Sequence, residues 1–264
     1  MIALVSRSFG RIARLLVSLI AVLAGFQVTI VAAAASLAAA GDFERLGQIL
    51  PAFVRQTFGP ALTSFNGMVT LGYFEPLIVM LFVQFAIFLA TEPASEIESG
   101  LVDLVLARPL PRHWLVSRSL LVMISSTVAL TAAMAAGLWL GLWWLAPAGV
   151  RWPDGRVALT LSVYLTMTAW CFGGAALAAS AWARRRASAL APVAVAAVAA
   201  YLLDLLGKMW APAETLSRLS PFHYFNGGAI LAGTADPMRD LAVLGALTIA
   251  GIALAYWQFR KRDL

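Results

Sequence analysis

Six long apolar runs divide this chain of 264 residues. They lie at 15–39, 68–90, 116–146, 157–181, 188–207 and 239–258. An α-helix rises about 1.5 Å per residue, so about 20 residues cross the roughly 30 Å hydrocarbon layer of a bilayer. Only 12% of the residues are charged, whereas about a quarter are charged in soluble domains. The runs therefore predict an all-α integral membrane protein, one domain over 1–264 with six transmembrane helices.

The first run follows a basic, partly apolar start. Arg7, Arg11 and Arg14 precede it, as in a secretory signal sequence. However, the run over 15–39 is longer than the 7–15 apolar residues of a signal core, so we expect a retained first span. Apolar residues interleaved with the arginines predict an interfacial helix over 1–14, and a plain positive flank is the alternative.

Basic residues are concentrated in alternate connections. If the N-terminus is cytoplasmic, the short inner segments contain more Arg and Lys than the outer segments, which is typical of cytoplasmic loops. Both termini are therefore predicted to be cytoplasmic. This asymmetry also explains the net charge of +6, and a nucleic-acid partner is not expected. Trp114, Trp182 and Trp257 fall at the predicted inner ends, where aromatic rings favour the headgroup level.

The chain lacks the residue patterns of an enzyme or a metal protein. Its single cysteine, Cys171, and two distant histidines, His113 and His223, give neither a disulfide pair nor ligand spacing. Neither lysine, Lys208 or Lys261, lies in the G-x-x-x-x-G-K-[ST] loop that holds nucleotide phosphates. We expect no catalytic residue, no metal and no cofactor bound by this chain.

The connection between the second and third runs has the most distinctive polar sequence, SEIESGLVDLVLARPLPRHW over 95–114. Ser95 and Glu98 have the spacing of a capping box. Ile97, Leu101, Leu104 and Val105 have the spacing of one helical stripe. Prolines 109 and 111 would end the helix. We expect a cytoplasmic helix over about 95–108, which either binds a partner or lies on the membrane surface.

This connection resembles a segment of the membrane subunits, or permeases, of type-2 ABC transporters. The family pattern is an acidic residue two before a glycine, a leucine-rich helix, a proline and a basic residue. It is matched by Glu98, Gly100, 101–106, Pro109 and Arg112. LSRLSPFHYFNGGAIL over 216–231 resembles the family's short helices that dip into the outer leaflet before the last span, and FRKRDL at 259–264 resembles the family ending.

Two positions depart from the family pattern. Leu101 stands where the family usually has threonine, and Arg118 matches only loosely the basic residue that opens the third span. These departures bear on the subfamily.

The resemblance implies a coupling helix that docks on a separate ATPase subunit, which would bind ATP and Mg. It implies a second permease copy, in a homodimer or heterodimer, surrounded by membrane lipid in a bacterial inner membrane. It also implies an outer-leaflet segment at about 212–232 and a role as an exporter. The predicted docking residues are Glu96, Ile97, Glu98, Gly100, Leu101, Leu104, Val105, Arg108, Pro109 and Arg112.

Two carboxylates fall inside the predicted spans. Glu75 and Asp204 both lie toward the outer ends of their runs, and a carboxylate in hydrocarbon is unfavourable unless it is paired or hydrated. We predict that they line a substrate path with His223 and Tyr224. The alternatives are an Asp204–Lys208 pair at spacing i, i+4 and a Glu75 side chain at a helix start.

Small residues in the third run point to close helix contact. Gly137 and Gly141 form a G-x-x-x-G pattern, which serves either dimerisation or packing within the chain. Two other functions remain open from the sequence. One is a secondary transporter driven by an ion gradient through Glu75 and Asp204, and the other is a membrane assembly factor that transports nothing. The substrate is not specified by any of these patterns.

Overall fold

A computed structural model of the chain describes residues 2–41, 43, 45, 62–100 and 113–261. Regular structure in these ranges is helical. The α-helices are α1 (Ile2–Ala40), α2 (Phe65–Thr70), α3 (Pro76–Ala90), α4 (Glu92–Glu98), α5 (His113–Leu145), α6 (Gly155–Trp182), α7 (Arg186–Met209), α8 (Ala211–Ser217), α9 (Gly227–Leu231) and α10 (Pro237–Lys261), with 3₁₀ turns at Leu71–Tyr73 and Pro221–Tyr224.

Six helical segments in the described ranges are long and apolar enough to cross a membrane. The first, third, fourth, fifth and sixth correspond to α1, α5, α6, α7 and α10. The second, Phe65–Ala90, combines α2, a 3₁₀ turn and α3. The chain is therefore a multi-pass α-helical membrane protein, as the six apolar runs predicted.

The centre of the bundle is α6, the most buried of the six segments. It packs mainly against α10 and α3, while α1 packs mainly against α5. Glycines permit the closest approach: a Cβ placed on Gly251 of α10 would lie 2.7 Å from the carbonyl carbon of Gly174 in α6. Small residues thus set the spacing of the central helix pair.

The first helix differs from its prediction. Residues 1–14 were expected to form a separate interfacial helix, but α1 runs without a break from Ile2 to Ala40. No proline interrupts this range, and nothing lies within 4 Å of a Cβ placed on Gly10 or Gly25. The sequence therefore contains no signal that would bend the helix between its basic start and its apolar part.

The short helix after the second span also differs from its prediction. We expected one helix over about 95–108 with a capping box at Ser95. The helix α4 instead begins at Glu92 and ends at Glu98, and residues 101–108 of the expected range lie outside the described residues. The backbone N–H of Ser95 donates to the Thr91 carbonyl, so Ser95 lies inside the helix. Pro93 occupies the first turn, where its missing N–H is harmless. Gly100 has φ +67°, a left-handed conformation that stops the helix.

Short helices connect the fifth and sixth spans. The predicted outer-leaflet segment at 212–232 contains α8, the 3₁₀ turn at Pro221–Tyr224 and α9. Its depth in a membrane stays a prediction. The start of α1, α4, the end of α6 and the end of α10 lie together at one end of the bundle, because contacts join each to its neighbour.

Candidate functional site

A short charged helix is fixed to one end of the bundle. α4 follows α3 after the single residue Thr91, whose N–H donates to the Ile87 carbonyl. Both ends of α4 are therefore determined locally, by the end of α3 and by the left-handed Gly100. Its carboxylates at positions 92, 96 and 98 then point to neighbouring helices.

The strongest of these contacts is a buried ion pair. Arg118, in the first turns of α5, donates from Nη2 to Oε2 of Glu96 at 2.7 Å. Both residues are almost fully buried, with 3% and 4% of their surfaces exposed. Removal of either partner would leave an uncompensated buried charge, which is strongly unfavourable. This pair therefore ties the short helix to the third span.

A second set of contacts joins α4 to the first span. Ser8 donates from Oγ to Oε1 of Glu92 at 3.0 Å. Arg11 Nη1 lies 3.5 Å from that oxygen and 3.7 Å from Oε1 of Glu96. Arg118 Nη2 also lies 3.9 Å from Glu92 Oε1. Ser8, Arg11, Glu92, Glu96 and Arg118 are called the charged cluster below.

The other side of α4 contacts the fourth and fifth spans. Ser180 of α6 accepts a hydrogen bond from the Ala94 N–H at 2.9 Å. Glu98 accepts at Oε2 from the backbone N–H of Arg186, the first residue of α7, at 2.9 Å. The Arg186 guanidinium donates to the Phe88 carbonyl at 2.8 Å and lies 4.1 Å from the centre of the Phe88 ring. One helix of seven residues thus contacts four spans.

The predicted docking residues divide into two groups. Ile97 is half-buried against the core, Glu98 is exposed apart from its bond to Arg186, and Gly100 ends the helix. Six further predicted docking residues lie outside the described residues: Leu101, Leu104, Val105, Arg108, Pro109 and Arg112.

Glu96 is the most buried of the predicted docking residues that the structure describes. Its carboxylate is paired with Arg118 and faces the interior of the bundle, and a role in docking stays a prediction. Sequence reasoning missed Glu92, Arg11 and Arg186 as partners. The available signal was the spacing of Glu92 and Glu96, which places two carboxylates on one face of a helix directly after an apolar run.

A second polar group lies at the other end of α7. Asp204 is 3% exposed and accepts a hydrogen bond at Oδ2 from Lys208 Nζ at 2.7 Å. His223 Nδ1 lies 3.9 Å from its other oxygen, Oδ1, and 3.3 Å from Ser217 Oγ. Oδ1 has no hydrogen-bond partner within the described chain. Asp204, Lys208, Ser217 and His223 are called the distal polar group below.

Aromatic rings line a cavity beside Asp204 and Lys208. This cavity of about 40 Å³ is lined by Asp204, Lys208, Tyr201, Phe222, Phe225 and Phe74, among others. That volume is sufficient for water and too small for a drug-sized molecule. Asp204 thus lies near His223, and the predicted alternative, the Asp204–Lys208 pair, is also present. A substrate path through these residues stays a prediction.

The remaining predicted path residues have local roles. Glu75 is the N-cap of α3, and its carboxylate accepts from the Ile78 N–H at 3.1 Å. This contact is the predicted alternative, a Glu75 side chain at a helix start. The residue before Glu75, Phe74, lines the cavity beside Asp204. The Tyr224 hydroxyl donates to the Arg218 carbonyl at 3.1 Å.

The glycine pattern in α5 faces the first helix. A Cβ on Gly137 would lie 2.5 Å from the carbonyl oxygen of Ala24, and one on Gly141 would lie 3.0 Å from Cβ of Val31. Both glycines are buried in the described chain. Of the two predicted roles, these contacts favour packing within the chain.

Six apolar helical segments, four of which contact α4 at one end of the bundle, define a multi-pass membrane protein. Residues 6–260 match the family model described as "Multidrug efflux system permease Rv1217c, C-terminal domain". Because the match covers nearly the whole sequence, the chain belongs to this permease family. The match is consistent with the predicted resemblance to ABC transporter permeases. No curated protein and no solved structure matches the chain.

Proposed function

We propose that this permease is the membrane-spanning subunit of an ABC exporter, coupled to a separate ATPase subunit that binds ATP and Mg. The observation that carries this proposal is the attachment of α4 to four spans, together with the family match. The segment over 92–112 would contact the ATPase through the predicted docking residues after Glu98. The cytoplasmic face would be the end that contains α4, in a bacterial inner membrane with both termini inside.

The mechanism follows from where α4 is anchored. Movement of the ATPase would shift α4, and its ion pairs would transmit that movement to α1 and α5. Because Ser180 and Arg186 contact α4 as well, α6 and α7 would move with it. A conformational equilibrium responds only to contacts that differ between its two states. The charged cluster would supply such contacts, because the energy of each ion pair depends on the distance between its charges.

The substrate path is proposed to open at the distal polar group. Asp204 Oδ1 is buried and accepts no hydrogen bond within the described chain, and Asp204 lines a cavity that would have to widen before a substrate passed. Glu75, His223 and Tyr224 would line the same exit. Two copies of the permease would form the complete path, either as a homodimer or with a sister subunit.

Copurification of a tagged permease from its native membranes tests the ATPase partner. The wild type should retain an ABC ATPase and hydrolyse ATP after reconstitution in lipid. The Leu101→Asp, Leu104→Asp variant should lose the ATPase while remaining monodisperse. The matched control, Leu216→Asp, Leu219→Asp, changes two exposed leucines near the distal polar group and should retain it.

Other outcomes would favour the alternatives. If the wild type binds no ATPase but its transport depends on Glu75 and Asp204, a carrier driven by an ion gradient is favoured. If there is neither ATPase nor flux, the assembly factor is favoured. If an ATPase binds normally to the Leu101→Asp, Leu104→Asp variant, the docking site lies elsewhere.

A further inference from the structure

A groove runs along the outside of the bundle between α6 and α10. It has a volume of about 670 Å³ and is lined mainly by small apolar residues, including Ala175 and Ala179 of α6 and Ala250 of α10. The volume falls in the range of about 300–1,000 Å³ that is usual for ligand pockets. It arises because α6 and α10 meet closely at Gly174 and Gly251, and alanines beside that contact leave no side chains to fill the surface.

The groove leads to an aromatic and basic rim at the α4 end of the bundle. An adjoining hollow of about 360 Å³ is lined by Trp182, Trp257 and Lys261, among others. The two tryptophan side chains are 74% and 53% exposed. Lys261 Nζ lies 3.9 Å from the centre of the Trp257 ring. Exposed tryptophans beside a lysine are typical of the headgroup level of a bilayer.

Polar groups at the rim match one kind of headgroup. Gln258 lines both hollows, and its buried Oε1 atom has no hydrogen-bond partner in the described chain. None of the described residues lining the two hollows is acidic. The rim therefore combines a cation, which attracts a phosphate, with the absence of any acidic residue among the described lining residues.

We propose that this groove is a binding site for an anionic phospholipid. An acyl chain would lie along the alanines, and the phosphate would face Lys261. Because Ser180 anchors α4 on the same stretch of α6, the lipid would lie beside α4. The proposal does not depend on an ATPase partner or on transport.

Native mass spectrometry of the delipidated full chain in detergent tests the site. The probes are phosphatidylglycerol and phosphatidylcholine with identical acyl chains. We expect phosphatidylglycerol to bind about fivefold more tightly than phosphatidylcholine, because one lysine near the membrane surface favours an anionic lipid by about that factor. Lys261→Gln should remove most of that preference, whereas Arg239→Gln, at the other end of α10, should retain it.

A second pair of variants tests the groove itself. Ala175→Leu with Ala250→Leu fills it at two exposed positions, and binding of phosphatidylglycerol should fall at least about fivefold. The control is Ala196→Leu with Ala199→Leu, two exposed alanines of α7 outside the groove. Equal binding of the two lipids would overturn the proposal, as would full phosphatidylglycerol binding by the filled variant. A change in oligomeric mass with lipid binding intact would instead assign the groove to contact between copies.

Discussion

The Glu96–Arg118 pair gives the most direct test of the charged cluster. Both side chains are buried and 2.7 Å apart, and breaking such a pair costs about 3–5 kcal/mol of folding free energy. Glu96→Gln should lie near the lower limit, because Glu92 still faces Arg118 at 3.9 Å. Arg118→Met should cost about as much. Arg11 still lies 3.7 Å from Glu96 in this variant, although Arg11 is 40% exposed and water screens its attraction.

The double variant distinguishes a coupled pair from two separate losses. Glu96→Gln combined with Arg118→Met removes both buried charges, so its destabilisation should be smaller than the sum of the single effects by about 2–3 kcal/mol. Reversible unfolding in mixed micelles, followed by tryptophan fluorescence, measures the three variants. Arg11→Gln is the control within the cluster and should cost no more than about 1 kcal/mol. Additivity to within about 0.5 kcal/mol would refute the pairing.

Three further experiments test other parts of the fold. Gly137→Leu should separate α1 from α5 and lower the free energy of unfolding by about 2 kcal/mol or more. A Cβ at Gly10 meets nothing within 4 Å, so Gly10→Ala should leave that free energy unchanged or raise it by up to about 1 kcal/mol. The same unfolding assay measures both variants. Gly100→Ala should cost about 1–2 kcal/mol, because φ is +67° there, and protease accessibility after Glu98 should rise. Lys208→Met leaves Asp204 buried without its cation and should lower thermal stability, and adding Asp204→Asn should restore most of the loss.

Hydropathy predicted the spans well because length and composition alone decide whether a helix can cross a bilayer. All six apolar runs correspond to helical segments long enough to span. Boundaries within them were harder to predict. The break between α2 and α3 depends on Glu75 capping the helix ahead of Pro76, and such a local signal disappears in an average over 20 apolar residues.

The charged cluster could be predicted only in part. The resemblance pointed to the connection that contains Glu96 and Glu98, and the position of Gly100 two residues after Glu98 was visible in the sequence. However, the burial of Glu96 depends on Arg118 and Arg11, which approach from two other helices. A sequence pattern on one helix gives the direction of a side chain but not its partner, so an exposed role and a buried role could not be distinguished.

The length of α1 has a mechanical consequence. Its 39 residues extend about 58 Å, longer than a bilayer of about 40–45 Å with its headgroups. Near its middle, Ala24 touches Gly137 and the Gln27 amide donates to the Val69 carbonyl at 2.5 Å. These contacts hold the middle of α1 against α5 and α2, and Arg11 lies about 24 Å from Gln27 along the axis. A force on the basic end would therefore act on α1 at a distance of about 24 Å from the contacts that hold its middle.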